Sequence, residues 1–297
     1  MKTLLEGRGG RFLVGLAPYA WLLLFFLVPF LIVLKISLSE PQMGIPPYMP
    51  LIDWAEGAFK GTLAGYNTLL GDNLYLLAYL GSLKLAGIST LGCLLLGYPA
   101  AYAIARAPQS RRQALLMLVA LPFWTSFLIR VYAWIGILKN EGLLNMALQA
   151  LGLISEPLQI LETSTAVVIG MVYSYLPFMI LPLYATLEKM DLSLLEAAAD
   201  LGCRPFKAFL AVTLPLSMPG VIAGCMLVFI PAVGEFVIPD LLGGPDTLVI
   251  GKVLWAEFFD NRDWPTASAV AVAMLVLLVV PIMVFQHFEA KRQERGE

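Results

Sequence analysis

Six long apolar runs constrain the fold of this chain more than any other feature of the sequence. A helix needs about 20 apolar residues to cross the ~30 Å hydrocarbon core of a bilayer. The runs cover approximately residues 12–38, 78–105, 113–138, 165–187, 216–238 and 266–288. Only 13% of the 297 residues are charged, which is about half the fraction in a soluble domain. We therefore predict an all-α membrane protein with six transmembrane helices, in a single transmembrane domain over residues 1–297.

The first run follows a short basic segment, so a secretory signal peptide is the alternative interpretation. Ser37-Leu38-Ser39 even resembles a cleavage site between small residues. The run is longer than the ~7–15 apolar residues of a signal peptide, and we expect it to remain as the first span. In the connection at residues 41–71, which is rich in Pro and Gly, we expect an interfacial helix around Leu51, Ile52 and Trp54.

Basic residues divide the loops into two groups. Three lie in each of four segments on the side of the N-terminus: Lys2, Arg8, Arg11; Arg106, Arg111, Arg112; Lys189, Arg204, Lys207; and Lys291, Arg292, Arg295. The opposite loops hold four basic and twelve acidic residues, an excess of eight negative charges. Because cytoplasmic loops are enriched in Lys and Arg, we predict that both termini and the segment at residues 188–215 are cytoplasmic.

Residues 188–215 are the most polar long segment between two apolar runs, and their pattern predicts a helix, a turn and a second helix. Ser193 and Glu196 have the spacing of a capping box, so the first helix is expected to begin at Leu194. Gly202 is placed to end this helix, because glycine adopts a positive φ without steric cost.

The second helix is expected to begin at Pro205, since proline is favoured in a first turn, and to end at Leu214-Pro215. Its apolar face would consist of Phe206, Phe209 and Leu210. Such a hairpin is too polar to cross a membrane and too apolar to remain in water. We therefore expect it to bind a protein partner.

Three charged residues, Lys84, Arg130 and Glu235, fall in the outer half of predicted spans. Charges at such depth are costly and usually face a partner or a cavity. We hypothesise that Glu235 pairs with Arg130 or Lys84 near an outer gate, or that it meets a cationic substrate. The structural alternative is that the charges snorkel to the interface. The sharpest predicted helix break, at residues 230–235, ends with Glu235 itself.

Aromatic residues lie at similar depth, including Tyr132, Trp134, Tyr173, Tyr175 and Phe236. An interfacial belt of Trp and Tyr is the ordinary explanation. The functional alternative is a set of ring faces along which a cation passes. With Arg130 and Glu235, these five residues form the predicted substrate pathway or gate.

Several classes of function are excluded by what the sequence lacks. The nearest approach to a phosphate-binding G-x-x-x-x-G-K-[ST] loop, at Gly251-Lys252, has Asp246 in place of the first glycine. Cys93 and Cys225 lie in apolar runs, Cys203 in the polar segment and the single histidine near the end of the chain, a distribution that does not indicate a zinc site. No nucleophile–base arrangement indicates a membrane enzyme, and a net charge of −2 gives no reason to expect nucleic acid. We predict no catalytic residues, metal or cofactor in this chain.

The polar hairpin resembles the cytoplasmic loop of permeases of ATP-binding-cassette (ABC) importers. Glu196-Ala197-Ala198, Gly202, Val212 and Leu214-Pro215 match its E-A-A, G and I-x-L-P spacing, with valine for the usual isoleucine. The resemblance implies a type I importer fold in which this loop couples to an ATPase subunit. It also implies that ATP and Mg²⁺ are bound by partner ATPase subunits.

The wider sequence is similar to permeases of bacterial polyamine importers, nearest to the first permease of the putrescine importer and next to the spermidine/putrescine permease. The stretches Pro122–Trp134, Val228–Pro239 and Leu241–Pro245 carry this similarity. It implies a polyamine substrate, two ATP-binding subunits, a second homologous permease, a periplasmic polyamine-binding protein, and a location in the bacterial inner membrane. The alternatives are an ABC permease for another substrate and a secondary transporter or channel for a small cation, which intramembrane charges and broken helices also fit.

Overall fold

The computed structural model describes residue 16, residues 18–53 and residues 57–294. In the last helix it describes side chains up to residue 279 and at residues 282 and 283. In chain order the helices are α1 (Pro18–Ser37), α2 (Ala64–Gly71), α3 (Asn73–Arg106), α4 (Gln109–Ala120), α5 (Phe127–Leu138), α6 (Leu143–Ala150), α7 (Ser164–Leu187), α8 (Ser193–Asp200), α9 (Pro205–Val233), α10 (Val237–Leu242), α11 (Ile250–Trp255) and α12 (Trp264–Glu294). Two short strands, β1 (Ile52–Asp53) and β2 (Ala58–Phe59), pair antiparallel. The predominance of helix confirms the predicted fold class.

Four helices in the described part of the chain are long and apolar enough to cross a membrane, namely α1, α3, α7 and α9. A bent pair of helices over the third predicted span would make a fifth. The sixth predicted span lies within α12, of which the shorter stretch Trp264–Val279 is apolar. The fourth span was predicted at residues 165–187 and begins one residue earlier, at Ser164.

The third predicted span is not a single straight helix. Helix Gln109–Trp124 ends in a 3₁₀ turn, and the helical stretch Phe127–Ala150, which comprises α5 and α6, leaves it at an angle of 91°. Between them Thr125 and Ser126 have extended backbone conformations. Pro122 occupies the 3₁₀ turn, where its missing N–H removes a hydrogen bond to the preceding turn. The span over residues 113–138 stays a prediction, for which the structure supplies a bent pair of helices.

The chain divides into two units, and the first contains Met1–Leu76 and Leu254–Glu297. In it α12 packs against α1 and α2. The Ser37 hydroxyl lies 2.8 Å from the Tyr66 hydroxyl, which joins α1 to α2. At the start of α12, the Trp264 ring stacks on Phe258 with centroids 4.9 Å apart. The expected interfacial helix is absent from the described residues 51–53 and 57–59, where β1 and β2 form a hairpin; Trp54 lies outside the described residues.

The second unit, Leu77–Val253, is built around α7. This helix packs along α9, and its fully buried Met179 lies against glycines of two neighbouring helices. A Cβ at Gly97 of α3 would lie 2.9 Å from Met179 Cγ, and one at Gly224 of α9 would lie 2.7 Å from its sulfur. Small residues at these positions therefore allow close helix packing, as is common in membrane proteins. The assignment of one domain to the whole chain stays a prediction.

Candidate functional site

The hairpin predicted at residues 188–215 is present, but its first helix is capped differently from the prediction. Helix α8 begins at Ser193, one residue early, and the Ser193 side chain makes no capping bond. Instead the Asp191 carboxylate accepts a hydrogen bond of 2.9 Å from the Ser193 N–H. This bond, with one from the Ser193 hydroxyl, holds the pKa of Asp191 below its ordinary value. A charged acceptor binds a free helix N–H more strongly than a hydroxyl does, so the acid replaces the predicted capping box.

The turn after α8 matches the prediction for Gly202, whose φ is +74°. The Gly202 N–H donates to Ala199 O at 2.8 Å, and the Cys203 N–H donates to Ala198 O at 2.9 Å. These two bonds form a Schellman motif, which satisfies carbonyls left free at the helix end. Ala198 of the E-A-A segment and the following Ala199 thus supply the acceptors that fix the turn.

The second helix begins at Pro205 as predicted, but it does not end at Leu214-Pro215. It continues through both residues as α9 to Val233, so the hairpin and the fifth span share one helix. A π-helical turn at Phe209–Thr213 ends two residues before Pro215. The wider turn accommodates a ring that would otherwise clash with the preceding backbone.

Much of the hairpin's apolar surface has no partner within the described residues. The Leu201 side chain is 89% exposed and Phe206 is 74% exposed, while Glu196 and Ala197 are also exposed. Of the same hairpin, only Ala208 and Thr213 are buried. An exposed apolar patch held on a rigid turn is typical of a protein-binding surface.

Two side chains that sequence reasoning missed connect the hairpin to the membrane helices. The Tyr98 ring of α3 meets Phe209 edge-on, with centroids 5.5 Å apart. Its hydroxyl lies 2.7 Å from the Ser217 hydroxyl, and Ser217 donates to Leu214 O at 3.0 Å. Tyr98 therefore joins α3 to the π-helical turn and to the first turns of α9. No sequence signal separated this tyrosine from others in the apolar runs.

Arg112 places two predicted cytoplasmic loops at the same end of the second unit. Its guanidinium forms an ion pair of 2.9 Å with Glu188, at the end of α7. A second nitrogen donates to Ala105 O and Ala107 O at the end of α3, at 3.0 and 3.2 Å. A cation at these terminal carbonyls also favours the helix dipole.

Glu235 lies in the predicted break, between the end of α9 at Val233 and the start of α10. One of its carboxylate oxygens accepts a hydrogen bond of 2.5 Å from the Tyr175 hydroxyl. The other accepts from the N–H groups of Val237 and Ile238 at 2.9 and 3.3 Å. The carboxylate thus binds free N–H groups of α10 and ties the break to α7.

The structure forms neither of the two ion pairs hypothesised for Glu235. Among described residues, neither Arg130 nor Lys84 is within 4.0 Å of a carboxylate oxygen. Arg130 lies 5.9 Å from the Phe127 ring, and its buried Nε and Nη1 have no hydrogen-bond partner among the described residues. Lys84 lines a separate cavity of 450 Å³ with Asp246. The hydroxyl and backbone donors next to Glu235 satisfy its oxygens instead.

The predicted aromatic residues fall into separate places. Trp134 and Tyr173 contact each other edge-on, with centroids 5.3 Å apart. Tyr175 is buried beside Glu235, Phe236 is half-buried in the break, and Tyr132 is exposed. The structure therefore joins Tyr175 to Glu235 and Trp134 to Tyr173, while Arg130 and Tyr132 contact neither pair in the described contacts.

Comparisons with known proteins agree with this architecture. Residues 94–294 match the protein family described as "Binding-protein-dependent transport system inner membrane component". The chain is 45% identical over 267 residues to the spermidine/putrescine transport system permease protein PotB of Haemophilus influenzae, covering 90% of each chain. It is 42% identical over 265 residues to PotB of Escherichia coli K12, covering 89% of this chain and 92% of that one.

The fold is also similar to a chain in the crystal structure of a bacterial ABC transporter involved in the import of the acidic polysaccharide alginate. The TM-score is 0.67 at 18% identity, over 95% of each chain. This likeness concerns the fold alone. The family match covers more than half of the chain and both relatives exceed 40% identity over most of it, so this protein belongs to the family of binding-protein-dependent transport system inner membrane components.

Proposed function

We propose that this chain is one of two permease subunits of an ATP-driven importer for a polyamine, putrescine or spermidine. The proposal for the substrate is supported by relatives at 45% and 42% identity that are described as spermidine/putrescine permeases. The proposal for the energy source is carried by the hairpin, whose Schellman turn holds Leu201 and Phe206 exposed.

The hairpin would bind an ATP-binding subunit, and ATP and Mg²⁺ would be held there rather than in this chain. One such subunit would serve this permease and a second would serve a homologous partner permease. Closure of the two ATPases would move the hairpin. Because the hairpin continues into α9 without a helix end, this motion would pass into the membrane as a rigid-body movement.

Both termini and the hairpin would face the cytoplasm of a bacterial inner membrane. Arg112 supports this orientation, since its bond to Glu188 joins two loops that carry the basic excess. The opposite, acidic loops would face the periplasm and a polyamine-binding protein. Their negative charge would raise the local concentration of a polycation.

The substrate pathway would pass the Glu235–Tyr175 pair and the Trp134–Tyr173 pair. A carboxylate attracts an ammonium group directly, and the face of an aromatic ring attracts it through its quadrupole. Glu235 would also act as a gate, because its oxygens hold the break between α9 and α10. An incoming ammonium group would compete with the Tyr175 hydroxyl for the same carboxylate.

The test is uptake of labelled putrescine and spermidine by proteoliposomes containing both permeases and both ATPases, with the binding protein outside. ATP inside the vesicles should drive uptake, and a non-hydrolysable ATP analogue should not. Uptake driven by an ion gradient without ATP would replace this proposal with a secondary transporter. If neither polyamine stimulated ATP hydrolysis, the assignment of the substrate would be refuted.

A further inference from the structure

An ion pair joins the two short helices that follow the break at Glu235. Lys252 Nζ, on α11, lies 3.4 Å from Asp240 Oδ1, on α10. The start of α10 is bound to the Glu235 carboxylate through two N–H groups. The start of α11 is bound to α3, where the Ile250 N–H donates to the Ser82 hydroxyl at 2.9 Å. Both backbones are therefore held in place, and the lysine reaches across on a flexible stem.

This ion pair is long and accessible to solvent. A charge-assisted bond between an ammonium nitrogen and a carboxylate oxygen is roughly 2.7–2.9 Å long, whereas this one measures 3.4 Å. The side chains of Lys252 and Asp240 are 31% and 56% exposed. More than half of the Asp240 side chain thus remains open to solvent. Because an exposed ion pair contributes little to stability, another cation can displace the lysine at small cost.

The neighbouring carboxylate of Glu235 is less available to a cation. Its oxygens accept hydrogen bonds from the Tyr175 hydroxyl and from the N–H groups of Val237 and Ile238. A cation arriving there has to replace donors that also fix the helix break. At Asp240 it replaces one ammonium group by another, and no backbone bond is lost. Asp240 is therefore the carboxylate at which an exchange of cations disturbs the fold less.

The ion pair lies beside a membrane-crossing helix. Opposite Asp240 on α10, the side chains of Ile238 and Leu242 are fully buried, and a Cβ on Gly170 of α7 would lie 3.0 and 2.6 Å from them. Gly170 is six residues, or ~9 Å, inside α7, which begins at Ser164. Charges at such a depth are costly in hydrocarbon and usually face water or protein. The exposed side of α10 therefore suits a polar pathway and not lipid.

The lysine indicates which kind of cation fits this carboxylate. Its side chain carries an ammonium group on a flexible stem of four carbons. Putrescine is the same four-carbon stem with an ammonium group at each end, and spermidine contains this unit. Asp240 is therefore already paired with a tethered group of the same chemistry as one end of the proposed substrate.

We propose that Asp240 binds one ammonium group of the polyamine on its way through the permease, and that Lys252 is an internal competitor for this carboxylate. This inference rests on the proposed function, which supplies the substrate. The arriving ammonium group takes the place of Lys252 Nζ, and the lysine returns when the substrate moves on. Because binding at each point of a pathway has to be weak enough for release, a tethered competitor keeps Asp240 from retaining the substrate.

Competition and a structural ion pair predict opposite effects of substitution at Lys252. The complete complex in proteoliposomes receives a fixed, subsaturating concentration of putrescine-loaded binding protein, and the initial rate of ATP-driven uptake is measured. Lys252→Met removes the ammonium group and keeps a stem of similar length. We expect it to raise the rate by about two- to fivefold, because a competitor lowers the apparent affinity by the fraction of sites that it occupies. Asp240→Asn should lower the rate by about fivefold or more, since the carboxylate itself is lost.

Lys252→Arg provides the sharpest contrast. A guanidinium group binds a carboxylate through two parallel bonds, so it competes more persistently than an ammonium group. Lys252→Arg should therefore lower the rate of uptake by about twofold or more. A structural ion pair predicts the reverse order, in which Lys252→Arg stays near the wild type and Lys252→Met is impaired.

Two controls show whether the effect depends on Asp240. In the Asp240→Asn background, Lys252→Met should change the rate by less than about twofold, because no carboxylate is left to compete for. Lys84→Met removes an exposed ammonium group that, among the described residues, is not within 4.0 Å of a carboxylate oxygen. Its rate should also stay within about twofold of the wild type.

Each other outcome overturns the inference in its own way. Slower uptake in both Lys252→Met and Asp240→Asn would make the pair a structural contact. Loss of the second permease on purification of these variants would assign the pair to the interface between permeases. Rates equal to the wild type in all variants would place it outside the pathway and leave the proposed function standing. Absence of ATP-driven uptake in the wild type would refute the proposed function together with this inference.

Discussion

The turn at Gly202 gives a direct test of how the hairpin works. Its φ of +74° lies in the left-handed region, and no atom lies within 4 Å of the position that a Cβ would occupy. Replacement by alanine therefore causes no clash, and its cost comes from the backbone alone. For a residue with a Cβ that cost is roughly 1–2 kcal/mol, which lowers the population of the native turn by a factor of roughly 5–30.

Asparagine and aspartate separate the backbone requirement from the surface requirement. Both tolerate the left-handed conformation better than alanine does, and they have nearly the same shape. Aspartate, however, adds a negative charge beside the exposed Leu201. We expect Gly202→Asn to retain most ATP-driven uptake of putrescine, Gly202→Ala to lose part of it, and Gly202→Asp to abolish it.

The assay is uptake per ATP hydrolysed in proteoliposomes, with co-purification of the ATPase subunits as the check on assembly. If Gly202→Ala retained more activity than Gly202→Asn, the size of the side chain at the docking surface would matter more than the backbone conformation. Unchanged uptake in all three variants would show that this turn has no part in coupling.

The remaining predictions concern the break, the loops and the packing. Tyr175→Phe removes one hydrogen bond from the Glu235 carboxylate, whereas Glu235→Gln removes the charge. We therefore expect a larger increase in the KM of putrescine uptake for Glu235→Gln. Equal KM values in the two variants would contradict direct attraction of the cation. Arg112→Ala should lower the melting temperature more than Glu188→Ala, which removes the ion pair. An exposed ion pair contributes only ~0–1 kcal/mol, whereas the arginine also binds two helix-terminal carbonyls. Gly251→Ala should destabilise the protein by roughly 1–3 kcal/mol, since its Cβ would lie 2.8 Å from two carbonyl oxygens of the break. The control is Gly87→Ala, where no atom lies within 4 Å of the added Cβ. Similar free energies of unfolding for the two variants would contradict the packing described for Gly251.

The sequence predicted helices best where one physical signal dominated. The fourth span and the start of the second hairpin helix at Pro205 were placed to within one residue, because a long apolar run and a proline in a first turn have few alternatives. Gly202 was equally clear, since its positive φ favours glycine. Local patterns were sufficient for these positions.

Predictions failed where two local signals competed. Ser193 has the spacing of a capping box, but Asp191, two residues earlier, binds the Ser193 N–H instead. Leu214-Pro215 suggested a helix end, whereas the preceding π-helical turn allows the helix to continue. A one-residue change in turn geometry leaves no clear trace in a sequence.

Contacts distant in sequence could not be predicted from the chain alone. Glu235 was expected to find a positive charge, but Tyr175, 60 residues earlier, supplies a neutral hydroxyl. Tyr175 was noted for its ring and not for its ability to donate a hydrogen bond.

The π-helical turn at Phe209–Thr213 also sets the rotational phase of the hairpin. A π-helical turn contains one residue more than an α-helical turn, and each residue of an α-helix advances the chain by ~100°. Deletion of one residue here would restore a regular helix and rotate Leu201 and Phe206 by about 100° relative to the part of α9 that begins at Leu214. The direction in which this protein presents its exposed surface therefore depends on a single additional residue at the membrane boundary.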